Sequence, residues 1–315
     1  MAMLKASLNA ILPHFHRFQY SIILLCVSLV FSGCHFKKDK LGSASNPVKL
    51  LFTPFVDAKV LDENSRDFKV FLEKTTGYHF EINIPQNYIA VVEAFGSKRV
   101  DLAVINTFGY LLAHSKFGAE ARLIVVRYGK STYQAEIITR ADRTGIKSIK
   151  DLNGKRFAFV DPSSMSGFII PSKLIKNARV KLGETVFAQK HDAVVAMVYQ
   201  GRVDAGAAFY SPPVNNEIQD ARVLVKAQYP DVEKKIKILM LTEEIPNDPV
   251  AFRKDLPEEM KVKIASAFKA YMATPVGKAK MKNLLVTDFK DGSDSDYDKL
   301  QIMAVEQGLG LERDR

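Results

Sequence analysis

From Val48 onward, short apolar runs alternate with longer amphipathic stretches, and few architectures accept that order. Val48 to Thr53 reads as a strand. Ser65 to Thr75 reads as a helix with Phe68, Val70, Phe71 and Leu72 available for one face, and Gly77 stops it. His79 to Ile84 alternates apolar and polar side chains, the pattern of a half-buried strand. Tyr88 to Ser97 is then helical, Val100 to Ile105 a strand and Phe108 to Ser115 helical again. Strand and helix repeating in this way predict a largely parallel sheet with helices packed on it.

A second unit follows the same rule. Tyr133 to Thr139 reads as a crossing strand, Ser148 to Lys155 as a short helix ending at Gly154, and Arg156 to Val160 as a buried strand. After a serine-rich turn a helix runs to about Ala178. Thr185 to Ala188 is a strand, Asp192 to Gln200 a helix closed by Gly201, Val203 to Ala208 a strand, and Ile236 to Leu241 a return strand. The C-terminal part is helical over Pro257 to Ala273, Val276 to Leu285 and Asp296 to Gln307. Met260, Ile264, Ala267, Phe268 and Tyr271 recur at helical spacing, a stripe for core packing rather than for a cofactor. No internal repeat of short period is present. Two α/β units joined by crossings near Tyr133 and Ile236 predict two lobes, residues 46–138 with 241–315 and residues 139–240, with a cleft between them. Loops at strand C-termini line the ligand site in such folds.

At 315 residues the chain has room for about two domains of ~100–200 residues each. Hydrophobic residues at 47% and charged residues at 25% exclude a polytopic membrane protein, a collagen-like repeat and a disordered tail. Two cysteines exclude a disulfide scaffold. The formal net charge is +10.

Residues 1–33 contain Lys5 and Arg17 but no acidic side chain. The apolar run Ile22 to Phe31 is too short to span a bilayer, which takes about 20 residues, but has the length of a signal-peptide core. Ser32-Gly33-Cys34 follows, and the order apolar, small, small, Cys resembles the lipobox of bacterial lipoproteins, with Phe31 where Leu is usual. Cys26 is a poor alternative lipid site because Leu24-Leu25 precede it. Residues 1–33 are therefore expected to be a signal peptide, Cys34 the lipidated first residue of the mature chain, and residues 34–46 a polar, flexible tether. An exported protein does not meet the nucleoid, so the positive charge does not indicate nucleic-acid binding. It suits an anionic ligand, a membrane surface or a merely soluble basic surface.

The stretch Gly154 to Pro171 carries the most chemistry. A buried strand ends at Val160, and Asp161-Pro162-Ser163-Ser164-Met165-Ser166-Gly167 opens a helix. Helix N-termini expose unpaired N–H groups and a partial positive charge, and serine hydroxyls add donors for an oxyanion. The same residues also serve plain N-capping by Ser164 or Ser166, and spacing alone favours neither reading.

This loop resembles the ligand loop of phosphonate/phosphite/phosphate-binding subunits of ABC importers. Further matches to that family follow in order: Val91-Val92-Glu93-Ala94 through Arg99-Val100-Asp101-Leu102-Ala103, His191-Asp192-Ala193-Val194 with Gly201-Arg202-Val203-Asp204-Ala205-Gly206-Ala207, Ile245-Pro246-Asn247-Asp248-Pro249, and Arg253-Lys254-Asp255-Leu256. The resemblance covers Val48 to Ala273. It implies an α/β, two-lobed type II periplasmic-binding-protein fold, with a ligand cleft between lobes joined by two crossing strands. It also implies ligand-binding roles: Ser164, Ser166 and the backbone of Met165 and Gly167 for the oxyanion, His191 as a further donor, Asp248 as an acceptor, and Thr53 and Tyr133 from the first lobe and the crossing. The implied partners are a small anionic ligand, a permease, an ATPase and, through the lipid, a membrane surface facing the periplasm or cell exterior. Three positions depart from the family pattern. Met165 stands where Thr is usual, Ile105-Asn106-Thr107-Phe108 replaces an aromatic and Gly, and Phe209-Tyr210-Ser211-Pro212 lacks the carboxylate expected of aminoalkylphosphonate binders.

An enzyme is the rival class. Ser166, His191 and Asp248 could form a triad, but Ser164 occupies the first Gly position of Gly-x-Ser-x-Gly. Ser266-Ala267-Phe268-Lys269 fits Ser-x-x-Lys without a partner motif, and no zinc or nucleotide motif is present, so no catalysis, cofactor or metal is expected. The expected function is thus the substrate-binding lipoprotein of an ABC importer for a small phosphorus oxyanion, and the alternative is a lipoprotein that senses a solute for a membrane kinase or binds a different small anionic solute.

Overall fold

The computed structural model describes residues 39–53, 58–85 and 87–311, so the expected signal peptide and the lipidation site Cys34 lie outside the described residues. The first half of the chain runs β1 (Val48–Phe52), α1 (Ala58–Thr76), β2 (Phe80–Asn83), α2 (Tyr88–Gly96), β3 (Leu102–Val104), α3 (Thr107–Phe117), β4 (Glu120–Val126) and β5 (Thr132–Arg140). Next come β6 (Phe157–Phe159), a π-helical turn Met165–Ile169 that leads into α4 (Ile170–Asn177), β7 (Thr185–Phe187), α5 (His191–Tyr199) and β8 (Ala205–Tyr210). The chain then forms α6 (Val232–Lys235), β9 (Ile236–Leu241), β10 (Ile245–Pro246), β11 (Pro249–Phe252), α7 (Glu258–Ala273), α8 (Pro275–Lys282), β12 (Asp288–Asp291) and α9 (Asp298–Glu306).

Two six-stranded sheets result, the first in the order β12-β4-β11-β3-β1-β2. Both are mixed, which corrects the expectation of a largely parallel sheet. β2, β1 and β3 pair in parallel, while β11, β4 and β12 add antiparallel strands. In the second sheet β7-β6-β8 is parallel, and β5 pairs antiparallel with β8 on one edge and with β9 and β10 on the other. The expected lobe boundary at 138/139 thus falls inside a strand. Hydrogen bonding puts the whole of β5 in the second sheet.

Alternation along the first sheet builds two core layers. Leu51, Ala103 and Ala251 face α2, α3 and α9, whereas Leu50, Phe52, Leu102, Val104 and Phe252 face α1 and α7. The stripe Met260, Ile264, Ala267, Phe268 and Tyr271 lies in the second of these layers, with the Phe68 ring edge-on to Phe268 at 4.7 Å.

The chain passes between the sheets twice, and one side chain ties the two passages together. Asn247, 1% exposed, donates its amide nitrogen to the carbonyls of Val125 and Lys130 at 3.0 and 2.9 Å. The Asn247 backbone carbonyl accepts from the Tyr297 hydroxyl at 2.7 Å. In the second sheet Glu136 is fully buried, and among the described residues neither carboxyl oxygen has a hydrogen-bond partner. Burial, with Asp220 nearby, pushes its pKa well above the usual carboxylate range.

Candidate ligand-binding site

A cavity of about 350 Å³ collects residues from both sheets and both passages. Tyr133, Ser164, Met165, Ser166, His191 and Asp248 line it, so six of the eight expected site residues come together there. A second cavity of about 380 Å³, between α1 and β2, holds none of them.

The serine-rich turn forms the cradle. Asp161 holds the turn by accepting from the Ser163 amide at 2.8 Å and from the Ser163 hydroxyl. The Ser164 hydroxyl oxygen accepts from the Gly167 amide at 3.0 Å, which is the N-capping role. Among the described residues the amides of Met165 and Ser166 have no acceptor, so two N–H groups stand open at the start of the π-helical turn. Ser166, Tyr133 and Thr107 line the cavity beside them, and the Thr107 hydroxyl donates to the Pro246 carbonyl at 3.0 Å. Burial and the charge of Asp248 push the Tyr133 pKa up, so its hydroxyl is a proton donor at any physiological pH.

Two expected site residues act differently. Thr53 is 1% exposed and does not line the cavity. Its hydroxyl donates to the Val104 carbonyl at 3.1 Å and accepts from the Asn106 amide at 3.1 Å, so it shapes the loop that presents Asn106 and Thr107. Gly167 spends its amide on Ser164 and does not line the cavity. Its small size is needed for packing, since a Cβ there would sit 2.4 Å from the Val160 Cβ.

Met165 explains its own departure from the usual Thr. It is 2% exposed, and its side chain joins the core cluster that holds Ala135 and Ile245 of the second sheet as well as Phe108 and Tyr110 of α3, a setting that suits an apolar residue. Across the same contact the Asn106 side-chain amide donates to the Ser163 carbonyl at 3.0 Å.

His191 opens α5 with its ring edge-on to Phe209 at 5.1 Å. Its Nδ1 is buried without a partner among the described residues, and burial pushes the imidazole pKa down to about 4. The ring is therefore neutral at pH 7. The Asp248 carboxylate accepts from the Arg127 guanidinium at 2.9 Å, and Arg127 also donates to the carbonyls of Leu284 and Leu285 at 3.2 Å. Sequence reading missed Arg127, Tyr88, Tyr128 and Lys190, all of which line the cavity. Arg127 and Tyr128 directly follow β4, and a strand assigned there would have pointed to them by the rule that ligand sites lie at strand C-termini.

This geometry meets the comparisons with known proteins. Residues 50–297 match the family described as ABC transporter, phosphonate, periplasmic substrate-binding protein. The chain belongs to this family. The phosphate-import protein PhnD of Mycolicibacterium smegmatis is 32% identical over 204 residues, which cover 58% of this chain and 63% of that protein's length. The phosphonates-binding periplasmic protein of Escherichia coli is 26% identical over 248 residues, 75% of this chain and 68% of that one. The solved structure of PhnD1 from Prochlorococcus marinus in complex with methylphosphonate matches with a TM-score of 0.68 at 20% identity, over 83% of this chain and 98% of that one. The two sheets joined by two passages are thus the two-lobed type II periplasmic-binding-protein fold.

Proposed function

We propose that this chain is the exported, lipid-anchored substrate-binding component of an ABC importer, and that it captures a small phosphorus oxyanion (phosphonate, phosphite or phosphate) in the cavity between its sheets. The observation that carries the reading is the pair of open amides at Met165 and Ser166 beside the hydroxyls of Ser166 and Tyr133. Such donors, fixed before the ligand arrives and aided by the dipole of the following helix, suit a tetrahedral anion. Family membership supports the permease and ATPase as partners.

The two lobes of this reading meet in the passages around 127–131 and 242–248, with Asn247 at the junction. A catalytic role is unsupported. Asp248 pairs with Arg127 rather than orienting His191, and His191 Nδ1 has no partner among the described residues. Lipidation at Cys34 rests on Ser32-Gly33-Cys34 and the apolar run before it.

The test is a thermal-shift and calorimetry panel of phosphate, phosphite, methylphosphonate and 2-aminoethylphosphonate on the full chain purified in detergent. A ligand at 100 times its Kd raises stability by about 2.7 kcal/mol. Silence from every phosphorus oxyanion, with sulfate and other anions as controls, refutes the reading.

A further inference from the structure

The cavity is too large for the anion alone. A five-atom tetrahedral oxyanion fills the room of two to three waters, roughly 60–90 Å³ at ~30 Å³ each. The cavity measures about 350 Å³, within the ~300–1,000 Å³ that organic ligands occupy. An organic tail on the phosphorus therefore has space. Charge does not choose that tail, because Arg127 and Lys190 line the cavity against Asp192 and Asp248, and Arg127 is paired with Asp248 at 2.9 Å. A tail of either sign would shed its water and meet charges already balanced.

Two turns show what the space is built for. Arg127 and Lys130 exchange amide-to-carbonyl bonds at 2.8 and 2.9 Å around Tyr128 and Gly129, whose φ angles are 51° and 76°. A two-residue turn with both φ angles positive takes Asn-Gly by preference, and here a tyrosine holds the Asn position. The other turn ends α8. The amides of Leu285 and Val286 donate to the carbonyls of Lys282 and Met281, each at 2.9 Å, and Leu285 has a φ of 56°. This is the Schellman arrangement, whose left-handed residue is usually Gly.

Both positions thus hold a bulky side chain in a conformation that destabilises it. Core packing does not offset that strain, since among the described residues neither side chain joins a hydrophobic core cluster. Both line the cavity instead, and the Arg127 guanidinium, bonded to the Leu284 and Leu285 carbonyls at 3.2 Å, ties the two turns together. From the second sheet's side Phe209 of β8 adds a ring to the lining, and Leu224 adds a side chain left 41% exposed.

We propose that Tyr128, Leu285, Leu224 and Phe209 form a subsite for an uncharged apolar tail, so that the cavity selects a short alkylphosphonate over phosphonates whose tail carries an ammonium or a carboxylate. The inference rests on the oxyanion reading above and names the ligand class within it.

Calorimetry on the full chain in detergent compares methylphosphonate, propylphosphonate, 2-aminoethylphosphonate and phosphonoacetate. The propyl and aminoethyl tails have equal length and differ in charge. Each CH₂ taken from water adds about fourfold in affinity, so wild type binds propylphosphonate roughly tenfold tighter than methylphosphonate. It binds either charged tail at least tenfold more weakly than the propyl one. Tyr128→Asn and Leu285→Gly restore the residue that each turn prefers, so Tm holds or rises while the propyl-over-methyl preference falls at least threefold. Leu224→Ala, at an exposed position where folding is not at stake, lowers the same preference. A preference that all three variants leave unmoved overturns the inference, and a fall in Tm of both turn variants alongside it assigns those side chains to stability instead. Equal or tighter wild-type binding of 2-aminoethylphosphonate or phosphonoacetate overturns it as well. If methylphosphonate binds and propylphosphonate binds no tighter, the tail assignment fails while the oxyanion reading stands. If no phosphonate, phosphite or phosphate binds wild type, both fail together.

Discussion

Replacing Ser166 with alanine removes one hydroxyl from the cavity and leaves the backbone unchanged. The side chain is 2% exposed and lines the cavity together with Tyr133. On the proposed reading it also donates to the oxyanion, and a hydrogen bond to a charged group contributes about 1.5–3 kcal/mol. Affinity should fall roughly tenfold to a hundredfold at ~1.4 kcal/mol per decade. The unliganded protein loses only a neutral hydroxyl contact of about 0.5–1.5 kcal/mol, and at roughly 2–4 °C per kcal/mol its Tm moves by a few degrees. Ser164→Ala supplies the contrast, because its oxygen caps the Gly167 amide at 3.0 Å. Loss of a cap costs about 0.5–2 kcal/mol of stability. Ser164→Ala should thus act mainly on Tm and Ser166→Ala mainly on Kd. The assay is calorimetry with methylphosphonate or phosphate, paired with melting of the free protein. Ser166→Ala binding within threefold of wild type would place the anion elsewhere and refute the cradle.

Four further outcomes are expected. His191 has its pKa pushed down to about 4 by burial, so between pH 6.5 and 4 the unfolded chain binds more protons than the native one. Stability to urea should fall as pH drops through that window, and His191→Gln should flatten the slope; an unchanged slope contradicts the burial argument. Glu136 has its pKa raised, so the native state keeps a proton that the unfolded state releases, and stability is lost as pH rises above the usual carboxylate range. Glu136→Gln should gain on wild type between pH 5 and pH 8 in urea midpoints, and a constant difference across that range would count against it. Met165→Thr adds a hydroxyl but takes an apolar group from a packed cluster, at about 1–3 kcal/mol, so Tm should drop by at least ~2 °C; a Tm equal to wild type would show that the contact contributes nothing. Cys34→Ser should release the protein from membrane fractions, and an unmodified Cys34 in the mature wild-type chain, read by mass spectrometry, would exclude the anchor.

The sequence made the fold legible where period and burial agree. Phe68 and Leu72, and the stripe from Met260 to Tyr271, recur at helical spacing because α1 and α7 each offer one face to the same sheet. Ala158, Phe159 and Val160 read as a buried strand because they are covered on both sides. β4 went unread although Leu123-Ile124-Val125-Val126 is a plain apolar run, while two other strands that escaped notice take their identity from a partner. β11 opens with Pro249, which cannot donate to a ladder, and β12 reads Asp288-Phe289-Lys290-Asp291, with Phe289 its one buried side chain. Their pairing with β3 and β4 turns an expected parallel sheet into a mixed one. At the site, hydroxyls and amides at a helix start were visible as a local motif. The Arg127–Asp248 pair was not, because its members lie 121 residues apart and only the two passages bring them together.

Capture and closure share the same residues on the proposed reading. The turn that presents the Met165 and Ser166 amides also sends the Met165 side chain into the α3 core and offers the Ser163 carbonyl to Asn106. Tyr133, whose hydroxyl completes the cradle, stands on β5 at the exit of the first passage, and Asn247 binds that passage to the second. These donors all stand on the second sheet's side of the cavity, and Tyr88, Asn106 and Thr107 line it from the first sheet's side. Opening the lobes would cost the Met165 packing and the Asn106–Ser163 bond, and neither apolar packing nor one neutral hydrogen bond alone holds a cleft shut for long. A ligand shifts the lobes toward closure only by binding the closed form better, so on the proposed reading the anion must also reach the first sheet's side of the cavity, where Tyr88 and Asn106 stand.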